Sequence, residues 1–255
     1  MPAATVKQAS LKNRPVPRPA SFIYTLFGDF VYRDPASRGE LWVGALVRLM
    51  SEFGLSEQGV RQAISRMARQ GWLSARKEDG RSFYSLTERG RRRVEAISPR
   101  IYGPVVEWDG HWRILTYSIA ESKRDARDRL RKDLTVLGWA PLSASTWITP
   151  ANALEAARNA AEANGIASHV DFFAGDYRGP MTDRELLERC WDLPAIAQRY
   201  RDFIAHYESR LRIEYSDEEA FVERMWLVHD YRKFTYLDPG LPSTLLPAHW
   251  PGSAA

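Results

Sequence analysis

Apolar positions recur with helical spacing in the stretch GLSEQGVRQAISRMARQGW, residues 54–72. They would share one side of a helix that packs on a core: Val60, Ala63, Ile64, Met67 and Ala68. Ser56 is a suitable N-cap, and Gly71 is a suitable stop because glycine accepts left-handed backbone angles. The pattern therefore predicts an amphipathic helix from Ser56 to Gln70.

The segments on both sides extend this prediction. Residues 40–54, ELWVGALVRLMSEFG, predict another amphipathic helix. It precedes the helix from Ser56 and is joined to it by a tight turn. Its side chains available for burial are Leu41, Trp42, Leu46, Leu49, Met50 and Phe53. Residues 72–87 predict two short strands around the turn Asp79-Gly80, and Thr87 predicts the cap of a further helix. This is the element order of a winged helix-turn-helix, whose second helix enters the DNA major groove.

The polar face of the helix from Ser56 carries donors that match phosphates and base edges. It has no acid after Glu57, whereas a merely solvated face usually mixes charges of both signs. The predicted DNA contacts lie on this helix and on the hairpin: Gln58, Arg61, Gln62, Ser65, Arg66, Arg69, Arg76, Lys77 and Arg81. Arg61 and Arg66 are the expected base or phosphate contacts, and the glutamines are suited to adenine edges.

Charge is distributed unevenly along the 255 residues, although the formal net charge is only +4. Residues 1–100 contain 18 basic and 9 acidic residues, and residues 101–255 contain 18 basic and 23 acidic residues. Positive charge is thus concentrated around the predicted helix-turn-helix, as expected for DNA binding. Residues 1–19 are free of acids, and we expect a disordered basic tail, with a DNA-reading arm as the alternative.

A different pattern begins after Pro104. Strands are predicted at 111–119 and 168–175, helices at 123–138 and 152–165, and one or two strands in between at 139–150. The order βαββαβ is that of a ferredoxin-like domain.

The remaining chain, residues 181–255, has helical apolar spacing, with Thr182 and Ser216 as candidate caps. We therefore expect an α+β multidomain protein. It comprises a winged helix-turn-helix domain (20–100), a ferredoxin-like domain (101–180) and a helical C-terminal regulatory domain.

Signals for catalysis or metal binding are weak. His169 and Asp171 point to one face of a strand, but no third ligand is evident, so a metal site is the minority interpretation. The single Cys190 excludes an intramolecular disulfide and is typical of a reducing cytoplasm. No apolar run approaches the ~20 residues that span a bilayer, and no signal peptide is apparent. We expect a cytoplasmic protein without cofactor, and an enzyme such as a thioester hydrolase is the weaker hypothesis.

Several stretches together are specific enough to suggest a family: SFIYTLFGDFV (21–31), LWVGALVRLM (41–50), FGLSEQGVRQAISRMARQGWL (53–73), GRSFYSLTERGRRR (80–93), WDGHWRILTYSI (108–119), LGWAPLSASTWITP (137–150) and HDYRKFTYLDPGLPSTLLPAHWPG (229–252). They resemble the PaaX family of bacterial transcriptional repressors. The resemblance implies a GntR-like winged helix-turn-helix, a middle domain similar to a small CRISPR-associated nuclease, and a homodimer. It also implies repression of phenylacetate-type catabolic genes, relieved by phenylacetyl-coenzyme A.

The sequence departs from the resembling proteins in two places. Nuclease relatives of the middle domain carry a metal-binding Asp at the end of the first strand, where the nearest acid here is Glu121, so we expect no nuclease activity. Family members usually continue beyond LLPAHWPG, whereas this sequence ends at GSAA. The alternative function is that of a PaaX-like regulator of another pathway, with a different acyl-coenzyme A or small-acid effector.

An aryl-coenzyme A effector requires an apolar slot and cations for its phosphates. The candidate residues lie near one helix end: Trp226, His229, Tyr231, Arg232 and Lys233. We expect the effector between the middle and C-terminal domains, and the alternative role of the three basic residues is interaction with the helix C-terminus. For a homodimer on a palindromic operator in double-stranded DNA, the expected interface is the sheet edges near Trp139 and Trp147.

Overall fold

The structure is a computed structural model that describes most of the chain: residues 14–34, 38–103 and 107–255. The chain forms two compact units. The first contains the residues up to Tyr102 and the later stretch His206–Arg232. The second contains Gly103–Ala205 and Lys233–Ala255. Of the tail predicted at 1–19, the part up to residue 13 lies outside the described residues.

The first unit opens with helix α1 (Pro19–Leu26) and a π-helical turn (Phe27–Val31). Proline suits the first helical position because its fixed φ is already helical and its missing N–H is not needed there. The side chains of this stretch that enter the core are Phe22, Ile23, Leu26, Phe27 and Val31. A π-helical turn is uncommon and often marks a functional position.

Residues 40–54 differ from the single helix that the sequence predicted. Strand β1 (Glu40–Trp42) comes first and helix α2 (Val43–Ser51) follows. The strand pairs with a partner more than 40 residues later in the chain, where Trp42 faces Phe83. Because this pairing holds the strand at the sheet edge, Trp42 is 41% exposed instead of buried.

The predicted helix and hairpin are both present. Helix α3 spans Glu57–Arg69, and strands β2 (Leu73–Glu78) and β3 (Arg81–Leu86) form an antiparallel hairpin. The three strands lie in the order β1-β3-β2. Thr87 caps helix α4 (Glu88–Ile97), as the sequence predicted, and a short helix α5 (Pro99–Tyr102) follows.

The second unit contains a four-stranded antiparallel sheet in the order β5-β6-β4-β7. Its strands are β4 (Trp112–Tyr117), β5 (Ala140–Pro141), β6 (Thr146–Thr149) and β7 (Val170–Gly175). Helix α6 (Arg124–Val136) follows β4, and helix α7 (Leu154–Ala163) follows β6. The predicted element order of strand, helix, two strands, helix and strand is therefore present.

Both faces of this sheet are covered. One face packs on α6 and α7 through a core that includes Leu115, Leu130 and Ala157. Trp139 and Trp147, predicted to lie near an exposed interface, are only 2% and 3% exposed because they fill this core. The two tryptophans are therefore core residues, and the dimer interface at the sheet edges near them stays a prediction.

The opposite face of the sheet packs on helix α8 (Asp183–Cys190). Thr182 caps α8 in a capping box with Glu185, in agreement with the sequence analysis. Helix α9 (Leu193–Glu208) follows, and its last three residues belong to the first unit.

The stretch that returns to the first unit contains helix α10 (Asp217–Tyr231), capped by Ser216. Val222, Met225 and Trp226 join the same core as Phe22 and Phe53. The sequence analysis placed these residues in a separate C-terminal domain. The structure groups them with the N-terminal elements because their apolar side chains pack there. A short helix α11 (Phe234–Leu237) belongs to the second unit.

Candidate nucleic-acid interface

Helix α3 is fixed by signals at both of its ends. The Ser56 hydroxyl accepts a hydrogen bond from the Gly59 amide at 3.2 Å, which satisfies one donor of the first turn. After the helix, Gly71 adopts a left-handed φ of +74°. The apolar side of the helix is buried: Val60, Ala63, Ile64 and Met67. Burial of this side fixes which residues face solvent.

The outward face of α3 contains the six helix residues predicted to contact DNA, and all six are exposed: Gln58, Arg61, Gln62, Ser65, Arg66 and Arg69. Five of them line one shallow, open depression: Arg61, Gln62, Ser65, Arg66 and Arg69. The structure therefore brings these side chains together on one solvent-facing surface, here called the α3 face.

The arginines of the α3 face are not equivalent. The Nε of Arg61 donates to Oε1 of Glu57 at 2.8 Å, one helical turn earlier. Arg66 and Arg69 form no ion pair with any residue in the described part of the chain. Since an unpaired, exposed guanidinium can bind a phosphate without first breaking a protein contact, Arg66 and Arg69 are the cations most available to an anionic partner.

The hairpin turns through Asp79 and Gly80, whose φ values are +48° and +73°. Two consecutive left-handed residues are the geometry of the tight hairpin turn that the sequence predicted. Lys77 and Arg81 on its strands are exposed, as is Arg76.

Arg76 is held by two carboxylates. Its guanidinium lies 2.6 Å from Glu40 and 3.0 Å from Glu78, and these hydrogen bonds raise the pKa of Arg76. Arg81 lies over the Trp42 ring at 5.2 Å from its centroid. The sequence analysis expected Trp42 on the buried side of a helix and did not place it beside the hairpin. Glycine at position 44 leaves room for the ring, because a Cβ there would lie only 2.5 Å from the indole.

The residues predicted to bind an effector have different surroundings in the structure. Trp226 is 8% exposed and packs on Phe22, with ring centroids 4.8 Å apart. Nδ1 of His229 lies 3.0 Å from the Thr25 hydroxyl. Both residues therefore face the core of the first unit. Lys233 is exposed and belongs to the second unit.

Arg232 is part of a buried network centred on Asp29 in the π-helical turn. Its Nη1 donates to Oδ2 of Asp29 at 2.6 Å, and these side chains are only 12% and 6% exposed. The Tyr102 hydroxyl donates to Oδ1 of Asp29 at 2.8 Å. Burial and the Asp29 charge raise the pKa of Tyr102 to about 12. One carboxylate thus holds both residues at which the chain leaves the first unit.

A second buried cation lies near the start of the described chain. Nη2 of Arg14 donates to Glu223 at 2.8 Å, and the guanidinium carbon lies 5.2 Å from the centroid of the Trp226 ring. Its side chain is 10% exposed. Nε and Nη1 of Arg14 find no acceptor among the described residues. Arg14 belongs to the predicted basic tail, but it packs into the first unit.

Three sequence profiles match this chain, in the same order as its elements. They are described as PaaX-like protein (residues 18–90), PaaX protein central Cas2-like domain (105–187) and PaaX-like protein C-terminal domain (191–255). The chain is also 31% identical over 245 residues to a protein of Escherichia coli strain K12 named transcriptional repressor PaaX. That match covers 92% of this chain and 76% of the relative. This chain belongs to the PaaX family.

Membership of the PaaX family makes the chain a transcriptional regulator rather than an enzyme, as the sequence analysis predicted. A solved structure of an uncharacterized protein from Mycobacterium tuberculosis has the same fold, with a TM-score of 0.59 and 23% identity. The match covers 94% of this chain and 91% of that protein. The PaaX-like profile at residues 18–90 includes the α3 face and the hairpin.

No group of three or more His, Cys, Asp or Glu side chains is placed to hold a metal ion within residues 14–34, 38–103 and 107–255. No helix in those same ranges is both long enough and apolar enough to cross a membrane. His169, considered as a metal ligand, instead has Nε2 at 2.9 Å from Nζ of Lys123.

Proposed function

We propose that this chain is a DNA-binding repressor whose first unit acts as a winged helix-turn-helix. In this proposal α3 enters the major groove, and the hairpin of β2 and β3 contacts the DNA backbone. The observation that carries the proposal is the α3 face, where Arg66 and Arg69 are exposed and unpaired within the described residues. The name of the Escherichia coli relative supports the same role.

The proposal is tested with the full-length protein and duplex DNA from the promoter of its own gene. Fluorescence anisotropy should show binding that weakens steeply as salt rises, because phosphate contacts release counterions. The double variant Arg66→Ala with Arg69→Ala should lose this binding while retaining its thermal unfolding temperature. Salt-independent binding, or unchanged affinity of the double variant, would contradict the assignment.

We further propose that the protein is a homodimer that binds a palindromic operator. The proposed dimer interface is formed by the sheet edges of the ferredoxin-like domain in the second unit. One recognition helix reads only a few base pairs, so a second copy adds the specificity that an operator requires. Light scattering at micromolar concentration should give twice the monomer mass. A monomer in the presence and absence of DNA would contradict the dimer.

The regulated genes and the effector are also proposals. Family membership supports a cytoplasmic protein that represses an aromatic catabolic operon. An aryl-coenzyme A thioester, such as phenylacetyl-coenzyme A, would release this repression. An effector lowers DNA affinity only if it binds the DNA-free form more tightly than the DNA-bound form. Trp226, His229 and Arg232 are engaged inside the first unit, so we assign them to holding α10 in place.

A titration of phenylacetyl-coenzyme A into a labelled operator complex tests the effector. Release should correspond to a change in affinity of about 5- to 150-fold, the usual range of allosteric coupling. A parallel titration with an aliphatic acyl-coenzyme A distinguishes an aromatic pathway from another acyl-coenzyme A pathway. Absence of release by every thioester would leave the DNA-binding function intact and contradict this form of regulation.

A further inference from the structure

Glu57 is the only acidic residue of α3, on a face that otherwise presents arginine, glutamine and serine. Its side chain is 63% exposed. A carboxylate repels DNA phosphates, so on a surface that binds DNA it weakens the sequence-independent part of binding. At such an exposed position, the helix dipole and an ion pair to the next turn give only small stabilisation. Because the small stabilisation does not account for a carboxylate that weakens DNA binding, we looked to base recognition for the role of Glu57.

The ion pair between Glu57 and Arg61 leaves groups of both side chains available. Arg61 uses Nε, so Nη1 and Nη2 make no hydrogen bond to the part of the protein that the structure describes. Oε2 of Glu57 also accepts none there. Two terminal guanidinium nitrogens match O6 and N7 of guanine, and a carboxylate oxygen accepts from the N4 amino group of cytosine.

The position of Glu57 also suits base reading. It is the first residue of α3, directly after the Ser56 cap. The N-terminal residues of a recognition helix are the ones that reach base edges in the major groove. Arg61 lies one turn later on the same exposed face. The two side chains are thus placed to contact neighbouring base pairs.

We propose that Glu57 is a specificity-determining residue that accepts a hydrogen bond from one cytosine while it holds Arg61 towards a neighbouring guanine. This inference rests on the proposed DNA-binding role of α3. Opposite guanine or thymine, the carboxylate meets acceptor atoms and is left unpaired, so those bases are excluded. Opposite adenine it meets an amino group beside an acceptor, which makes adenine the second choice.

Glu88 provides a matched control. It is the first residue of α4, follows the Thr87 cap, and is 61% exposed. It pairs with Arg91 at 3.1 Å and with Arg92 at 2.9 Å. Glu88→Gln therefore removes the same charge from the same helix position and disrupts the same kind of ion pair, but on α4 rather than α3.

The experiment selects preferred duplexes from a randomised library with the full-length wild type, Glu57→Gln and Glu88→Gln, and then measures Kd for single-base variants of the selected site. We expect the wild type to prefer cytosine over guanine or thymine at one position by about 5- to 150-fold. Glu57→Gln should shift that preference towards adenine, because an amide reads adenine, and should bind unrelated DNA about two- to fivefold more tightly. Glu88→Gln should select the wild-type sequence.

The possible results separate this inference from the function on which it rests. The same selected sequence for wild type and Glu57→Gln would overturn the role of Glu57 and leave DNA binding by α3 intact. A uniform loss of affinity by Glu57→Gln, matched by Glu88→Gln, would assign Glu57 to helix stability and also overturn it. Failure of the wild type to select any sequence would overturn both proposals.

Discussion

Arginine has opposite roles in two regions of the first unit. On the α3 face, Arg66 and Arg69 are exposed and have no ion-pair partner in the described chain. Around α10, Arg232 and Arg14 are 12% and 10% exposed and each is paired with a carboxylate. The difference lies in the acids, because Asp29 and Glu223 reach their arginines from distant parts of the sequence. A guanidinium is therefore left exposed or buried in an ion pair according to which acid the fold brings to it.

The largest effect in this contrast should come from removing Asp29. Asp29→Ala leaves Arg232 as a buried charge and deprives the Tyr102 hydroxyl of its acceptor. We expect the free energy of unfolding to fall by about 3–5 kcal/mol, as for other broken buried pairs. Urea unfolding of the full-length protein measures this loss.

The control for Asp29 is an exposed carboxylate that also pairs with an arginine. Glu78 and Arg76 lie 3.0 Å apart with side chains 56% and 47% exposed. Glu78→Ala should lower the free energy of unfolding far less than Asp29→Ala, because an exposed ion pair adds little stability. Equal losses for the two variants would show that burial does not distinguish these pairs.

Among the exposed arginines of the α3 face, Arg66 provides the next test. Arg66→Ala should weaken operator binding by about 5- to 150-fold, equivalent to 1–3 kcal/mol, with little change in stability. Loss of a phosphate contact would also lower the slope of log affinity against log salt by about one. Arg92→Ala removes the same charge from an exposed position on α4 and serves as control. Equal weakening by both variants would reduce the role of Arg66 to net charge alone.

Arg14 should show that burial of an arginine pair need not be strongly stabilising. Arg14→Met removes two buried guanidinium nitrogens that have no acceptor in the described residues, and methionine can keep contact with the Trp226 ring. Glu223 retains Arg210 at 4.0 Å. We therefore expect the free energy of unfolding to change by only about 1 kcal/mol or less. A loss as large as that of Asp29→Ala, measured in the same urea series, would refute this ranking.

The smallest effect should appear in the second unit and depend on pH. Arg113 is buried and donates to Asp109, and this contact lowers the pKa of Asp109 to about 2. A lowered pKa contributes stability above the unfolded value of about 3.9, and this contribution disappears as pH falls towards 2. Unfolding measured between pH 5 and pH 2 should show a shallower pH dependence for Asp109→Asn than for wild type. Identical pH profiles would contradict a role for this pair.

Local signals predicted the α3 face well. Ser56 and Gly71 act on residues within one turn, and Asp79-Gly80 determines the hairpin without help from distant residues. Residues 40–42 could not be assigned in this way. Leu41 and Trp42 fit the apolar side of a helix or a strand, and pairing with β3 decided between the two.

The sequence does not reveal contacts between side chains that come from distant parts of the chain. The sequence identified Arg232 as a cation near a helix C-terminus, but its partner Asp29 lies 203 positions away. Trp139 and Trp147 were named only as neighbours of the expected interface, and the sequence did not show that helices α6 and α7 bury both. No periodicity within a single segment could have revealed either contact.

The first unit is formed by two separate stretches of the chain, and this has consequences for its folding during synthesis and for its use in chimeric proteins. During synthesis on the ribosome, α3 emerges long before α10, because residues 103–205 are translated in between. Until then Phe22 and Phe53 lack Trp226, one of their packing partners. A gene fragment that stops at Tyr102 encodes the α3 face without this packing partner. A chimeric protein that uses the α3 face therefore has to carry both stretches of the first unit, since a single cut in the chain does not separate this unit from the second.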